Sequence, residues 1–182
     1  MARKIYQLKV TLKNIRPPIW RRFQVEDDLT FYQLHTVLQT VMGWYDAHLH
    51  SFDINGLQLT DAETLAMGWG DGKDDQKVRL SQYLRHEKQK FRYVYDFGDD
   101  WEHEVLLEKI LTIEEGVFYP RCIKGKRECP PEDCGGVWGY QEILEILKDK
   151  NHSEYETYAE WIGEDFDSEH FDLVEINDML QL

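Results

Sequence analysis

Positive charge is scarce in this chain. Its 182 residues carry 21 Lys and Arg against 35 Asp and Glu, for a formal net charge of −14. Unassisted binding to duplex nucleic acid draws on Lys and Arg to neutralise phosphates, so this balance disfavours it. The deficit is uneven. Residues 151–182 hold ten acidic residues and no Lys or Arg, whereas residues 1–25 hold seven basic residues and no Asp or Glu. One reading is a solvated acidic surface, with the basic first strands packed near the acidic tail. The other is a tail that shields or mimics something anionic. Arg16, Arg21 and Arg22 leave room for a local basic patch.

Long apolar runs are also missing. No segment approaches the ~18 apolar residues that a membrane crossing needs. Met1 to Gln7 enter an alternating pattern with no apolar signal core. The expectation is a cytoplasmic protein with no membrane partner. Cysteine is limited to Cys122, Cys129 and Cys134, and an odd number in a cytosolic chain argues against a disulfide framework. Their spacing lacks the closely paired ligands of a structural zinc site, so they read as buried or loop thiols. Cys–His catalysis with His103 or His152 stays open, although nothing local activates a thiol. Gly135-Gly136 is not followed by Gly-Lys-Ser/Thr, which excludes a phosphate loop there.

What is present suits a globular chain: 42% of residues are apolar and 13% aromatic, over a length expected to form one domain across residues 1–182. Tyr6, Leu8, Val10 and Leu12 alternate with polar residues as a half-buried strand does, and Ile19 to Val25 reads as a second strand after Pro17-Pro18. A helix follows. Thr30 and Gln33 form a capping box, Phe31, Leu34, Leu38 and Val41 make the buried stripe, and Gly43 supplies the stop. Asn55-Gly56 between alternating runs predicts a hairpin from His48 to Thr60. Residues 61–77 read as a long surface loop, Leu80 and Leu84 as part of a short helix, and residues 90–109 as a second hairpin. Residues 114–139 read as irregular. Helical spacing returns at Tyr140, Ile143, Leu144 and Leu147 and again at Tyr155, Tyr158, Ala159 and Ile162, with Ser153 and Glu156 as a capping box. Asp172 with Glu175 predicts a last helix. The order implies an α+β fold: a mostly antiparallel sheet with one crossing helix, β-grasp-like, plus C-terminal helices.

The segment Tyr93 to Val105 is the densest in functional side chains. If Asp99-Asp100 forms a two-residue loop, Asp96 faces His103 and Val94 faces Val105, with opposed Cβ atoms ~5 Å apart. A carboxylate held against an imidazole suits general-base work or metal binding, and equally a pair that fixes register. His48 and His50 share one strand face. Together His48, His50, Asp96 and His103 would supply four N/O ligands for zinc or another divalent ion. Six tryptophans (Trp20, Trp44, Trp69, Trp101, Trp138 and Trp161) read mostly as core or cover, with an exposed subset beside Tyr93 and Tyr95 as a possible stacking platform.

Several blocks together resemble one family, the plasmid pRiA-type open-reading-frame-three-like proteins. They are Pro17-Pro18-Ile19-Trp20-Arg21-Arg22, Leu34-His35, Gly43-Trp44, His48-Leu49-His50-Ser51-Phe52, Tyr95 to His103, Cys129 to Gly136, and Asn177-Asp178-Met179-Leu180. The resemblance implies a single α+β roll found in bacteria and archaea, often on plasmids or in mobile elements. It brings no assigned reaction and no catalytic residues. Some members bear a name suggesting a resolvase, but no serine-recombinase nucleophile context or basic DNA-binding tail accompanies it in this chain.

Three functions follow as expectations. The first is a non-catalytic binding or interaction module, with a protein rather than a nucleic acid as partner. Its groove would be framed by the His48–His50 strand, the Asp96–His103 hairpin and the Pro130–Gly136 loop, with Trp44, Asp99, Asp100, Trp101, Glu132 and Asp133 as its residues. The second is a metal-dependent hydrolase using His48, His50, Asp96 and His103, with Glu132 as base. The third is an accessory protein of mobile DNA that contacts a protein partner through its acidic tail.

Overall fold

The computed structural model describes residues 3–68, 72–163 and 165–181. Its strands are β1 (Lys4–Leu12), β2 (Trp20–Glu26), β3 (His50–Ile54), β4 (Leu57–Thr60), β5 (Lys73–Asp74), β6 (Lys90–Tyr95), β7 (Trp101–Thr112) and β8 (Arg121–Lys126). They form one sheet in the order β5-β4-β3-β6-β7-β1-β2-β8, antiparallel throughout except for the β4–β5 pair. The helices are α1 (Phe31–Met42), α2 (Ala62–Ala66), α3 (Leu80–Tyr83), α4 (Gly136–Ile146), α5 (Tyr155–Ile162) and α6 (Leu173–Met179). The chain is thus mixed α and β, with a mostly antiparallel eight-stranded sheet. Among the described residues no helix is long and apolar enough to cross a membrane.

Local chemistry explains where α1 begins and ends. The Thr30 hydroxyl accepts from the Gln33 N–H at 3.2 Å, and the Gln33 side chain accepts from the Thr30 N–H at 2.9 Å. At the other end Gly43 turns the chain at φ 97°, a left-handed angle that a Cβ would strain. Phe31, Leu34, Leu38 and Val41 are buried against the sheet, where Phe31 meets Phe52 and Phe91 edge-to-face.

Three sequence expectations need correction. Residues 61–77 are not one loop: Asp61 caps α2 by accepting from the Thr64 N–H, and Lys73–Asp74 adds a parallel edge strand beside β4. These elements are too short to show a period. Trp69 and the rest of 69–71 lie outside the described residues. Residues 114–139 are not wholly irregular, because β8 pairs with β2 along the sheet edge. Ser153 does not cap α5; Glu154 stands at that position without a side-chain cap bond.

The charge halves do pack together, Arg21 lying against Phe171, but among the described residues not through ion pairs. Arg22 pairs with Glu108 at 2.6 Å and Arg3 with Glu26 and Asp28. Among the described residues the ion pair of the acidic tail is Glu169 with Arg127, at 2.6 Å. The basic strands therefore neutralise their own sheet and not the tail.

Candidate metal centre

The turn between β6 and β7 is longer than a two-residue loop. Residues 96–100 form it, closed by the Asp100 N–H donating to the Asp96 carbonyl at 2.7 Å. Tyr95 then faces Trp101, and Tyr93 faces His103. The pairing is displaced by three residues from the register that sets Asp96 opposite His103. An odd displacement moves a side chain to the other face of the sheet. His103 accordingly lies in the core with Tyr93, Trp44 and Trp101, fully buried. Neither ring nitrogen has a hydrogen-bond partner. Burial pushes its pKa down to about 3, opposed by backbone groups of Tyr93 and Trp101 that approach the ring without hydrogen-bond geometry. His103 is not paired with Asp96 and is no ligand for an accessible ion.

His50 is also committed elsewhere. Its Nε2 lies 2.7 Å from the Asp75 carboxylate, which is wholly buried. Its ring stacks on that of His35 at 3.5 Å with a 6° tilt. The bonds around His35 fix its tautomer. The Asp46 N–H donates to Gln39 Oε1, so Gln39 Nε2 donates to the Tyr93 hydroxyl. That hydroxyl must then donate to His35 Nδ1, and His35 Nε2–H donates to Asp46 at 2.7 Å. Burial first, and the neighbouring His50 second, hold the His35 pKa well below 6.5. His35, Asp46 and His50 are close enough to suggest a metal cluster. Two parallel rings cannot both aim in-plane lone pairs at one ion ~2.1 Å from each nitrogen, however. This stack is structural.

His48 has no such commitment. It sits just before β3, where the Leu49 carbonyl accepts from the Asp96 N–H at 2.8 Å and ties the two segments together. His48 Nε2 lies 3.6 Å from Asp96 Oδ2, 3.6 Å from Glu132 Oε2 and 3.2 Å from Asp133 Oδ1. It makes no hydrogen bond with any of them. A charge-assisted N–H···O bond would sit at about 2.7–2.9 Å. Adjacent ligands of a cation with bonds of ~2.1 Å are instead about 3.0–3.4 Å apart, close to the spacing seen. Ligand atoms of His48, Asp96 and Asp133 all lie within 4.8 Å of one another.

Each carboxylate is aimed by its own backbone. Asp96 adopts φ 55° and Asp133 φ 56°, left-handed angles that Asp tolerates better than most residues. Asp96 Oδ1 accepts from the Gly98 and Asp99 N–H groups, which leaves Oδ2 toward His48. Glu132 Oε1 accepts from the Tyr95 hydroxyl at 2.9 Å and the Tyr45 N–H at 3.0 Å, while Oε2 has no partner. Tyr95, read from sequence as part of a stacking surface, is buried and acts as a hydrogen-bond donor. Burial, and then its bond to Glu132, raises its pKa.

The Pro130–Gly136 loop reaches this turn because Asp99 Oδ2 accepts from the Gly135 N–H, and Gly136 presses its α-carbon against the Asp99 carbonyl where a Cβ would collide. The residues proposed for a groove therefore separate. Glu132 and Asp133 join His48, Asp99 ties the loop to the turn, and Asp100 stays exposed. Trp101 is core, and Trp44 is buried with its indole N–H on the Pro130 carbonyl. A cleft of about 390 Å³ opens beside His48 and is lined also by Asp46, Asp61 and Glu63. The three cysteines are buried thiols; burial, and then Asp99, pushes Cys134 up to about 12.

Comparison with known proteins was consistent across sequence and structure. The family described as plasmid pRiA4b ORF-3-like protein matches residues 4–175. A relative from Sinorhizobium fredii, called uncharacterized protein y4hQ, is 39% identical over 173 residues, covering 92% of this chain and 86% of its own. The crystal structure of MM3350 from Methanosarcina mazei Go1, a protein of unknown function, is 45% identical. It superposes with a TM-score of 0.86 over 96% of this chain and 98% of its own.

Proposed function

The chain belongs to the plasmid pRiA4b ORF-3-like family, and we propose that it binds a divalent cation through His48, Asp96 and Asp133, with Glu132 beside them. The observation that carries this is His48 Nε2, unbonded yet within 3.2–3.6 Å of three carboxylates. One imidazole among carboxylates suits a first-row ion such as zinc or manganese. The cation would neutralise carboxylates that otherwise repel one another, and would offer Lewis acidity toward solvent. The chain then acts as a cytoplasmic, one-domain binding protein whose ligand completes the coordination from the solvent side, where Asp133 is exposed.

A second reading is metal-dependent hydrolysis, favoured by Glu132. Its Oε1 is held by two donors and its Oε2 is left free, the arrangement of a base ready to take a proton from water.

Elemental analysis and calorimetric titration with zinc and manganese test the cation. Wild type should take up one equivalent, and His48→Ala should bind at least about tenfold more weakly with its fold intact by circular dichroism. Saturating cation at about 100 times its dissociation constant should add about 2.7 kcal/mol of stability, read as a rise in melting temperature. Wild type without measurable uptake, or His48→Ala with unchanged affinity, would remove the proposal. Glu132→Gln separates the two readings, since a base is needed for turnover while the cation is retained.

A further inference from the structure

A second cavity, of about 360 Å³, lies between the end of α1 and α6, with Arg21, Trp44, Tyr45, Glu128, Phe171 and Glu175 among its lining residues. Arg21 is 2% exposed. Its Nε donates to the Val41 carbonyl at 2.8 Å, and its Nη1 to the Trp20 and Lys126 carbonyls at 3.0 Å each. Its Cζ lies 5.0 Å from the centre of the Phe171 ring. All these partners are neutral. Among the described residues no carboxylate forms an ion pair with Arg21, and its Nη2 has no hydrogen-bond partner. Burial lowers its pKa, but a guanidinium starts so far above neutrality that it stays charged.

A buried charge without a counter-ion is costly, and proteins normally pair it. This chain instead builds space around it. A Cβ on Gly125 would overlap both the Phe171 ring and Arg21 Cδ, so the bare backbone there lets the pair sit against β8. The rest of the polar lining is mainly acidic: Glu128, Asp172 and Glu175 face the same cavity, together with His170 and Thr40. Burial raises the Glu128 pKa and Arg21 pulls it back, which places the two groups within electrostatic reach. Trp44, Ile176 and Met179 supply an apolar side.

A dianion such as phosphate would gain from Arg21 and lose against three carboxylates. A cation alone would leave the guanidinium unmatched. A ligand with a carboxylate and an ammonium on adjacent atoms meets both signs, and an apolar side chain fills the remaining wall. We propose that this cavity binds a free α-amino acid with an apolar side chain, its carboxylate on Arg21 and its ammonium toward Glu128 and Glu175. The site stands apart from the cation proposal and does not depend on it. Its volume falls within the range of small-ligand pockets.

Calorimetric titration of the whole chain with L-leucine and L-phenylalanine tests this, alongside 4-methylpentanoate, isopentylamine and inorganic phosphate. One of the amino acids should bind saturably and at least about tenfold tighter than either half-molecule. Glu175→Gln, an exposed change at the rim that leaves the core untouched, should weaken the amino acid and leave 4-methylpentanoate no weaker, since the anion loses a like charge. Arg21→Lys, which keeps the charge but loses the planar fork, should weaken both. The proposal is overturned if no amino acid binds wild type up to about 10 mM. It is equally overturned if phosphate or 4-methylpentanoate binds as tightly, or if Glu175→Gln leaves amino-acid affinity unchanged.

Discussion

His103 shows how much one side chain depends on register. It is buried in an aromatic box, neutral, with both nitrogens unbonded. Replacing an unsatisfied buried polar group by an apolar one of similar size tends to be neutral or stabilising. His103→Leu should therefore unfold in urea within about 1 kcal/mol of wild type at pH 7. The acid response differs. The folded pKa of about 3 lies below the ordinary 6.5, so as pH falls the unfolded chain takes up the proton first. Above pH 6.5 the residue has no pH-dependent effect. From 6.5 down toward 3 it erodes stability by up to about 1.4 kcal/mol per pH unit. His35, also shifted down, acts with the same sign. Urea curves at pH 7, 6, 5 and 4 should thus fall less steeply for His103→Leu than for wild type; parallel curves would show that the imidazole is not held neutral. A histidine beside Asp-Phe-Gly-Asp-Asp looks functional by its neighbours alone. Only the five-residue turn sends it inward and leaves His48 at the site.

At the scale of elements, the exposed edge of β8 is managed by α6. Asn177 Oδ1 accepts from the Cys122 N–H at 2.8 Å, and its Nδ2 donates to the Cys122 carbonyl at 3.0 Å. One side-chain amide thereby imitates a neighbouring strand and blunts a sheet edge that would otherwise recruit another chain. Asn177→Leu should cost about 1–3 kcal/mol in urea unfolding, because it strands both backbone groups. Light scattering on heating should also rise earlier; a variant as stable and as soluble as wild type would deny the edge-covering role. The sequence predicts α6 through its Asp172 cap, and the structure bears this out with bonds to the Val174 and Glu175 N–H groups. It does not predict β8, which lies in a stretch rich in Gly, Pro and Cys and has no clear alternation. α1 is legible end to end for the opposite reason: its capping box, apolar stripe and glycine stop all act within a few residues of each other.

For the whole molecule, the net charge of −14 should set the response to salt. Self-repulsion opposes the compact state, and added ions screen it over about 10 Å at 0.1 M. The melting temperature should rise between low salt and roughly 0.3 M sodium chloride in the metal-free protein. A fall would mean that the local ion pairs, Arg22–Glu108 and Arg127–Glu169 among them, outweigh the global repulsion. The uneven distribution along the chain suggests a basic end meeting an acidic end. The two do meet, Arg21 against Phe171, but the sheet brings Glu108 of β7, two strands away, over Arg22 of β2, and the basic end is neutralised there.

The mixed α and β class, the antiparallel hairpins, the bounds of α1 and the family are legible in the sequence alone, because each rests on periodicity, caps and short blocks that act locally. The sequence also marked His48, Asp96, Glu132 and Asp133 as residues of interest and framed one groove from the segments that carry them, although it counted only His48 and Asp96 of the four among the metal ligands. Which of them meet was decided only in three dimensions. A turn three residues off the expected register removes His103, a buried carboxylate removes His50, and a glycine pressed on the Asp99 carbonyl carries Glu132 and Asp133 across to His48. The second and third depend on contacts between residues 25 and 36 positions apart, a separation over which one-dimensional spacing has no hold on distance, whereas the turn is local and its length alone shifts the register.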